Sequence, residues 1–340
     1  MKMTKNAGTG STRLSVIIPT YNCKAYLNEC LMSVICQLPG DCELIAVDDG
    51  SDDGTAELLA SYAGTRDNLR VLLRPHRGAS GARNAGLSYA RGSYVTFIDC
   101  DDRLQKGFFE KSLPMLEQDA DLYIFGIERI LLSGRRELWT VQDKIYSDAS
   151  VFADTYIRIC QLLIYSNCNK FYRKDIIERL NLRFEEGVSF GEDRLFNYRY
   201  LTDCGRIVTS EQLMLEYIQR DAVSMSTRHI PGYFDQAMVL HRAKTHCFLS
   251  LSRGTTAEER RAFAAGDLAG EIGRTLDRFR EHPEEEAENL SAVNSLVFGA
   301  FPELEAQLRE AGISDPLSWH QTQEGRALVL GHIRSSDPRI

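Results

Sequence analysis

Three aspartates within four positions are the part of this sequence with the clearest chemistry. Asp99, Asp101 and Asp102 directly follow the apolar run of residues 94–98, which predicts a buried strand. Neighbouring carboxylates repel one another and lose hydration on burial, so such a cluster needs a cation or several donors beside it. Their oxygens suit hard cations such as Mg²⁺ or Mn²⁺, whose coordination a diphosphate commonly completes. The run indicates a metal–diphosphate site, and a solvated turn is the alternative.

Three earlier strands are predicted, and each is followed by a polar turn. They are residues 14–18, 44–47 and 69–73. The first run ends at Pro19, which lacks the N–H needed for a ladder and is expected to stop the strand. Asn22 is expected to cap the amphipathic helix that follows. The second strand runs into the acidic turn of residues 48–55, and the third leads into a glycine-rich helical segment at residues 78–86.

Alternation of strands and helices at this pace predicts a mostly parallel sheet with helices on both faces. Ligands of such sheets bind beyond the carboxyl ends of the strands. Every polar cluster described above lies at a predicted carboxyl end. The sequence therefore predicts that these clusters converge on one edge of the sheet.

Six segments, taken in order, resemble the motifs of the family-2 inverting glycosyltransferases, over roughly residues 13–226. They are residues 16–22 (VIIPTYN), 47–55 (VDDGSDDGT), 82–86 (ARNAG), 99–102 (DCDD), 169–172 (NKFY) and 190–196 (FGEDRLF). The resemblance implies a GT-A fold, that is, a Rossmann-like mixed sheet with helices on both faces. It also implies a nucleotide-diphosphate-sugar donor and a divalent cation, Mn²⁺ or Mg²⁺.

For the nucleotide, the resemblance places the turn that carries Asp49 over the base, where a carboxylate can accept the N3–H of uracil. The competing interpretation is that the acidic turn caps the next helix, and Ser51 or Asp52 could do so while Asp49 binds. The loop that lines the nucleotide consists of Pro19, Thr20 and Tyr21. Tyr21 could stack or hydrogen-bond there, or be an ordinary surface tyrosine.

For the diphosphate, the resemblance points to two arginines. Arg83 lies in the glycine-rich helix, and its planar fork can give two hydrogen bonds to a phosphate. Arg77 is a nearby rival for that role. Arg220 belongs to the segment of residues 217–226, which resembles a family segment that closes over the diphosphate, and an exposed loop arginine is the alternative.

For the metal, Asp99 and Asp101 match the outer positions of the family's Asp-x-Asp motif. We expect Asp101 to be a direct ligand, while Asp99 contacts the ribose or a metal-bound water, or joins the metal itself. Asp102 is a third candidate, and His229 could be an additional ligand, although a lone loop histidine usually is not. The cation would stabilise the leaving diphosphate as a Lewis acid.

The resemblance makes Asp193 the general base that removes the acceptor hydroxyl's proton as it attacks. Inversion requires this base and the leaving diphosphate on opposite faces of the sugar. Glu192 is the fallback. The alternative is structural, since both acids precede a helical segment and carboxylates are favoured in a first turn.

Composition and charge limit the classes of protein that this sequence could belong to. A net charge of −8 over 340 residues argues against a nucleic-acid partner. Residues 1–12 are polar and predicted to be disordered, without the apolar core of a signal peptide. No apolar run reaches the roughly 20 residues needed to span a bilayer, which argues against the processive synthases of the family. The nine cysteines show no metal-ligand spacing, and we expect reduced thiols without zinc or disulfides.

The predicted domain organisation is a GT-A domain at residues 13–228 and a helical region at residues 229–340. Residues 13–126 would bind the nucleotide sugar and residues 127–228 the acceptor. The predicted C-terminal helices are residues 234–251, 256–280, 284–298 and 302–311. Covering the catalytic domain, self-association and membrane docking remain open as roles for this region.

The sequence thus predicts an inverting, metal-dependent glycosyltransferase that uses a nucleotide-diphospho-sugar, most simply a UDP-sugar. Its acceptor would be a glycan or a polyprenyl-diphosphate-linked glycan of bacterial surface polysaccharide synthesis. The expected location is the cytoplasm, with peripheral contact at the inner face of the membrane left open. The alternatives are a catalytically silent nucleotide-sugar-binding module and a nucleotidyltransferase that forms sugar nucleotides.

Overall fold

A computed structural model describes residues 12–336, apart from residues 154–156, 158–161, 221–227 and 253. The chain divides into two compact units, each formed by several segments. The first unit consists of Met1–Ala149, Cys160–Gly187 and Asp203–Ala222. The second unit consists of Ser150–Ile159, Val188–Thr202 and Val223–Ile340.

The first unit is built on one mixed sheet. Its strands are β1 (Leu14–Thr20), β2 (Cys42–Asp48), β3 (Leu69–Leu73), β4 (Tyr94–Phe97), β5 (Arg103–Leu104), β6 (Leu122–Ile130), β7 (Arg136–Trp139), β8 (Lys144–Tyr146), β9 (Lys170–Arg173) and β10 (Ile207–Ile218). Their order is β3-β2-β1-β4-β9-β6-β10-β5, with β7 beside β6 and β8 beside β10. Strands β1 to β4 pair in parallel, as do β6 and β10, whereas β5, β7, β8 and β9 run antiparallel to their neighbours.

Helices alternate with the strands in the first half of the chain and dominate after β10. They are α1 (Lys24–Ile35), α2 (Thr55–Tyr62), α3 (Gly78–Tyr89), α4 (Phe108–Ser112), α5 (Ala149–Phe152), α6 (Leu162–Tyr165), α7 (Lys174–Arg179), α8 (Glu192–Leu201), α9 (Tyr233–Leu251), α10 (Ala257–Glu281), α11 (Pro283–Ala300), α12 (Leu304–Glu310) and α13 (Gln323–Ser335). Two 3₁₀ segments, Leu113–Gln118 and Pro316–Gln321, complete the set within the described residues. The mixed α/β sheet and the C-terminal helical region confirm the predicted fold class.

Pro19 does not stop the first strand, contrary to the prediction. β1 continues to Thr20, and Pro19 stands opposite Val47 of β2. The last bond between β1 and β4 runs from the N–H of Ile98 to the carbonyl of Ile17, so pairing on that side has already ended. Because alternate residues of a strand face alternate neighbours, Pro19 faces this unpaired side, where its missing N–H costs nothing.

Asn22 does not cap α1, again contrary to the prediction. The N-cap position is Cys23, whose side chain makes no capping bond, and Oδ2 of Asp53 accepts the N–H of Lys24 at 3.0 Å. Asn22 has a φ of 45°, and its Oδ1 accepts the N–H of Asp52 at 3.0 Å. Its own N–H donates to Oγ of Ser51 at 3.0 Å. The side chain therefore ties the β1–α1 loop to the acidic turn, a contact 30 residues away in sequence.

Close packing of α3 on the sheet depends on Gly86. A Cβ at this position would clash with Cγ2 of Ile17, a fully buried side chain of β1. We expect Gly86→Ala to lower the free energy of unfolding by about 1–3 kcal/mol, the usual cost of overpacking a core. Gly266 in α10 is the matched control, since a Cβ there meets nothing within 4 Å. Gly266→Ala should raise stability by about 0.5–1 kcal/mol through helix propensity. Urea unfolding measures both, and equal effects of the two substitutions would contradict this packing.

The second unit contains α8 to α13 and has its own apolar core. Buried members of that core include Leu195, Phe234, Ile272, Val293, Leu308, Trp319 and Ile333. Helices α9 to α12 lie within a few residues of the ranges predicted from the sequence, whereas α13 was not predicted. That helix follows the 3₁₀ segment Pro316–Gln321, and its N-cap is Thr322, whose side chain accepts the N–H of Gly325. Among the described residues, no helix is long and apolar enough to cross a bilayer.

Candidate active site

The acidic run occupies a tight loop between β4 and β5. The N–H of Asp102 donates to the carbonyl of Asp99 at 3.1 Å, which closes the turn. Asp102 is 1% exposed, and its Oδ1 accepts the N–H of Ile218 at 3.0 Å. Asp101 is half-buried, and the side chain of Asp99 is 35% exposed. The loop thus directs Asp102 into the protein and leaves Asp99 and Asp101 accessible.

The protein alone does not balance the charges of Asp101 and Asp102. Burial, and then the charge of Asp99, raise the pKa of Asp101 to about 6. Burial, followed by the charges of Asp101 and Asp99, raises the pKa of Asp102 well above its usual value. Elevated pKa values in a carboxylate cluster mark a place where added positive charge is stabilising. The cluster therefore fits a divalent cation.

The ligand set also fits a cation that is shared with a substrate. Within the described part of the chain, no group of three or more His, Cys, Asp or Glu side chains forms a complete metal cage. Mg²⁺ sites in enzymes that bind phosphorylated substrates commonly take one or two carboxylates and complete their coordination with substrate phosphates and water. Asp101 with Asp99 provides that minimal set, whereas Asp102 is turned away to Ile218.

Two arginines contact the acidic loop. Nη2 of Arg83 donates to Oδ1 of Asp99 at 3.0 Å, and its guanidinium lies 5.4 Å from the ring centre of Phe184. Nη2 of Arg220 donates to the carbonyl of Asp101 at 2.8 Å, and its guanidinium lies 4.9 Å from the ring centre of Tyr26. Arg83 is buried, so it orients Asp99 in this state. The rival Arg77 is exposed.

Asp49 lies at the carboxyl end of β2 and holds the loop that leads into α3. It is 1% exposed and accepts the backbone N–H groups of Arg77 at 3.1 Å and Gly78 at 2.7 Å. Nδ1 of His76 lies 2.8 Å from Oδ2 of Asp49, and Nε of Arg74 lies 3.5 Å from Oδ1. The roles of His76 and Arg74 could not be predicted from the sequence, because their contact with Asp49 spans 25 or more residues and no local pattern marks it.

The loop of residues 19–21 borders Asp49. The ring of Tyr21 is 48% exposed and lies against the His76 ring, with centroids 4.2 Å apart. Oγ1 of the buried Thr20 donates to the carbonyl of Val47 at 3.1 Å. Tyr21, His76 and Asp49 therefore come together at one edge of the sheet, where an aromatic face and a carboxylate adjoin.

Neither Ser51 nor Asp52 caps α2. Oγ of Ser51 donates to Asp48 at 2.6 Å, and Asp48 also accepts the N–H groups of Gly50 and Ser51. Oδ1 of Asp53 accepts the N–H of Thr55 at 2.9 Å, so this side chain satisfies the start of the helix. The capping role of the turn thus falls on residues other than Asp49.

Asp193 belongs to the second unit. It lies with Glu192 in the first turn of α8, whose N-cap is Gly191 with a φ of 76°. Gly191 provides no side chain to cap the helix. It packs closely against Leu240, and a Cβ added to Gly191 would clash with that side chain. The acids therefore occupy positions that favour negative charge at a helix N-terminus.

The remaining predicted positions have partners within their own units. His229 lies in the second unit, with Nε2 3.4 Å from Glu288. In the first unit, Nδ2 of Asn169 donates to the carbonyl of Phe125 at 2.8 Å. The fully buried ammonium of Lys170 donates to Asn169 at 2.7 Å and to the carbonyl of Ser166. The segment of residues 217–226 is described only as far as Arg220.

The substitution Asp102→Asn tests the buried carboxyl of Asp102 without changing the accessible carboxylates of Asp99 and Asp101. Because burial raises the pKa of Asp102, the folded state holds a proton that the unfolded state releases above about pH 4, and stability falls as pH rises from there. Asn keeps an acceptor for Ile218 and cannot ionise. We expect the variant to gain stability over the wild type between pH 4 and 7, by at least about 1 kcal/mol. Thermal unfolding across this range measures the difference, and a gap that does not widen with pH would contradict it.

Comparison with known proteins agrees with this architecture. Residues 15–180 match the family model described as glycosyl transferase family 2. Uncharacterized glycosyltransferase EpsJ of Bacillus subtilis is 30% identical over 61% of this chain and 61% of EpsJ. The minor teichoic acid biosynthesis protein GgaB of the same organism is 33% identical over 53% of this chain and 20% of GgaB. The chain thus matches less than two thirds of the length of either relative.

Among solved structures, Staphylococcus aureus TarS 1-349 in complex with UDP-GlcNAc superposes with a TM-score of 0.66 and 21% identity, covering 95% of this chain and 89% of that chain. This similarity concerns the fold. Residues 15–180 thus match glycosyl transferase family 2, and the mixed sheet has the GT-A fold. The family and fold predicted from the motifs are confirmed.

Proposed function

We propose that this protein is an inverting, metal-dependent glycosyltransferase that uses a UDP-sugar. It transfers the sugar to a glycan or a polyprenyl-diphosphate-linked glycan in the synthesis of a bacterial surface polysaccharide. The reaction belongs in the cytoplasm, with peripheral contact at the membrane where the acceptor is lipid-linked. The names of the relatives, glycosyltransferases and a teichoic acid biosynthesis protein among them, support the polysaccharide context.

The observation that carries the proposal is the acidic loop with its two arginines. Asp99 and Asp101 are accessible, the pKa of Asp101 is raised to about 6, and Arg83 and Arg220 contact the same loop. A cation and a diphosphate bound together would balance these groups. A nucleotide-diphosphate sugar provides such a diphosphate.

We propose that Asp101 and Asp99 hold the divalent cation. Arg83 fixes the orientation of Asp99 through its 3.0 Å bond. When bound, the cation supplies Lewis-acid stabilisation of the leaving diphosphate. Arg220 serves as a phosphate clamp, and its buried Nε has no hydrogen-bond partner among the described residues, which leaves a donor available.

The base of the nucleotide is expected at the Tyr21 edge. A uracil ring would stack on the exposed face of Tyr21 and direct its N3–H to Asp49. Oδ2 of Asp49 already lies 2.8 Å from Nδ1 of His76, whose side chain is 53% exposed. The uracil must therefore displace the imidazole from Asp49 when it binds. Pro19 and Thr20 complete this wall of the site. This arrangement favours a planar base with a donor edge.

Asp193 is proposed as the general base. It would take the proton of the acceptor hydroxyl as the oxygen attacks the anomeric carbon from the face opposite the diphosphate. A single displacement of this kind inverts the configuration. Residues 13–126 are proposed to bind the donor and residues 127–228 the acceptor, with residues 229–340 as a helical region.

The direct test is donor turnover. Purified protein with Mn²⁺ is supplied with a panel of UDP-, GDP- and CDP-sugars and of methyl glycosides as acceptors, and nucleotide release is measured. We expect release from a UDP-sugar that increases with the right glycoside, and a product of inverted anomeric configuration by NMR. Saturable UDP binding with no release from any pair would instead indicate a silent nucleotide-sugar-binding module.

A further inference from the structure

An aromatic pair lies beside the acidic loop, and neither of its rings is assigned a contact with the donor in the proposed function. The rings of Trp139 on β7 and Tyr217 on β10 are stacked, with centroids 6.3 Å apart and an interplanar angle of 24°. The guanidinium of Arg129 lies 5.5 Å from the ring centre of Trp139. The side chains of Arg129 and Glu137 are about one third exposed and 3.4 Å apart. We call Trp139, Tyr217 and Arg129 the aromatic platform.

Strand register places the platform on one face of the sheet. Trp139 stands opposite Ile127 of β6, and Tyr217 stands opposite Arg129 of the same strand. Ile127 and Arg129 are two residues apart, so their side chains and those of their partners share a face.

The opposite face of this part of the sheet is ionic. There Arg136 lies 2.9 Å from Glu128 and 3.6 Å from Glu216. Leu138, which stands opposite Glu128, also lies on that face. The two faces of the hairpin formed by β6 and β7 therefore differ in chemistry.

The platform adjoins the acidic loop through β10. Tyr217 directly precedes Ile218, whose N–H donates to Asp102, and Arg220 bonds to the carbonyl of Asp101. Burial, and then the charges of Asp102, Asp101 and Asp99, raise the pKa of the Tyr217 hydroxyl. The tyrosine is nonetheless 37% exposed. A ring that rests on it would lie next to the proposed diphosphate site.

We infer that the aromatic platform binds a pyranose ring of the acceptor glycan. This inference rests on the proposed function. A sugar ring presents C–H groups on its faces and hydroxyls around its edge. The C–H groups pack on aromatic faces, while Arg129 donates to hydroxyls and Glu137 accepts from them.

An acceptor fits the platform better than the donor sugar does. The donor is anchored by charge through its diphosphate, whereas the reacting part of a glycan is uncharged and depends on contacts to ring faces and hydroxyls. An acceptor also extends over several rings and needs an open surface. The platform is open, because both Tyr217 and Trp139 remain partly accessible.

The test compares Trp139→Ala with Leu138→Ala. Leu138 is the matched control, since it is the neighbouring residue on the same strand, is 61% exposed and lies on the opposite face. With the most active UDP-sugar and methyl glycoside pair, we expect Trp139→Ala to raise the glycoside KM about tenfold, equivalent to about 1.4 kcal/mol. The KM for the UDP-sugar and the Kd for UDP should stay unchanged, and Trp139→Phe should recover most of the loss.

An unchanged glycoside KM in Trp139→Ala, with transfer by the wild type intact, would overturn the inference and leave the proposed function standing. A rise in the UDP-sugar KM alone would assign the platform to the donor and also overturn it. Equal losses in Leu138→Ala would indicate a damaged hairpin rather than a binding face.

A second readout does not need turnover. The chain has two tryptophans, Trp139 and Trp319, and Trp319 is fully buried in the second unit. Titration with the same methyl glycosides should change the tryptophan fluorescence of the wild type in a saturable way, and Trp139→Phe should lose that change. If the wild type neither transfers sugar nor binds UDP, the proposed function fails, and this titration still decides on the platform. In that case, the absence of a fluorescence change with any glycoside would contradict sugar binding by the aromatic platform.

Discussion

Asp193→Asn should remove most of the turnover and keep donor binding. If Asp193 takes the proton of the acceptor hydroxyl, its loss should lower kcat by about 10²–10⁴-fold, the usual contribution of general base catalysis. Asn has nearly the same shape and cannot accept the proton. The UDP Kd should be unchanged, because the proposed base contacts the acceptor rather than the nucleotide. Initial rates and calorimetric UDP binding measure the two effects separately.

Glu192→Gln is the matched control for this experiment. Glu192 is the neighbouring acid in the same first turn of α8. If both acids only stabilise the helix terminus, each substitution should cost about 0.3–1 kcal/mol of stability and leave kcat intact. A normal rate in Asp193→Asn would show that the base has been assigned to the wrong residue. A large loss in Glu192→Gln alone would transfer the role to Glu192.

The second large effect is expected from Asp101→Asn. The pKa of Asp101 is raised to about 6 by burial and by Asp99, so the ionised carboxylate gains from a bound cation. Its replacement removes the proposed metal ligand. We expect the Mn²⁺ dependence of UDP binding to disappear and the transfer rate to fall at least about 100-fold, which corresponds to about 2.7 kcal/mol of transition-state stabilisation.

Asp52→Asn controls for the loss of one negative charge. Asp52 is an exposed acid of the other acidic turn, where its N–H bonds to Asn22. The Asp52→Asn variant should keep the UDP binding and the turnover of the wild type. Manganese-dependent binding that survives in Asp101→Asn would exclude this residue as the metal ligand and leave Asp99 as the candidate. Fluorescence or calorimetric titration with Mn²⁺ and UDP distinguishes these results.

The strands and helices that carry the predicted site were predictable because they have strong local signals. Apolar runs ending in polar turns marked β1 to β4, and the ranges predicted for α9 to α11 agree with the structure to within a few residues. Pro19 was misjudged because its effect depends on which neighbour its missing N–H faces. Strands β5, β7 and β8 are two to four residues long, and pairing with distant strands rather than local pattern defines them.

Within the site, residue types were predictable but partners were not. The motifs indicated Asp49, Asp99 and Arg83 as separate ligand contacts. In the structure Arg83 bonds to Asp99, and Asp49 bonds to the loop that carries His76. Such pairs join residues 16 to 29 positions apart, so only the fold brings them together. The aromatic platform was missed for the same reason, since Trp139 and Tyr217 meet across β6.

Calorimetric titration of the wild type with UDP, GDP and CDP, each with and without Mn²⁺, tests most directly whether this edge of the sheet binds a nucleotide diphosphate with a cation. The proposed site predicts binding of UDP that requires Mn²⁺, and weaker or absent binding of GDP and CDP. Binding that is equally tight without metal would remove the cation from the site. Failure of folded protein to bind any of the three nucleotides would contradict the proposed donor site as a whole.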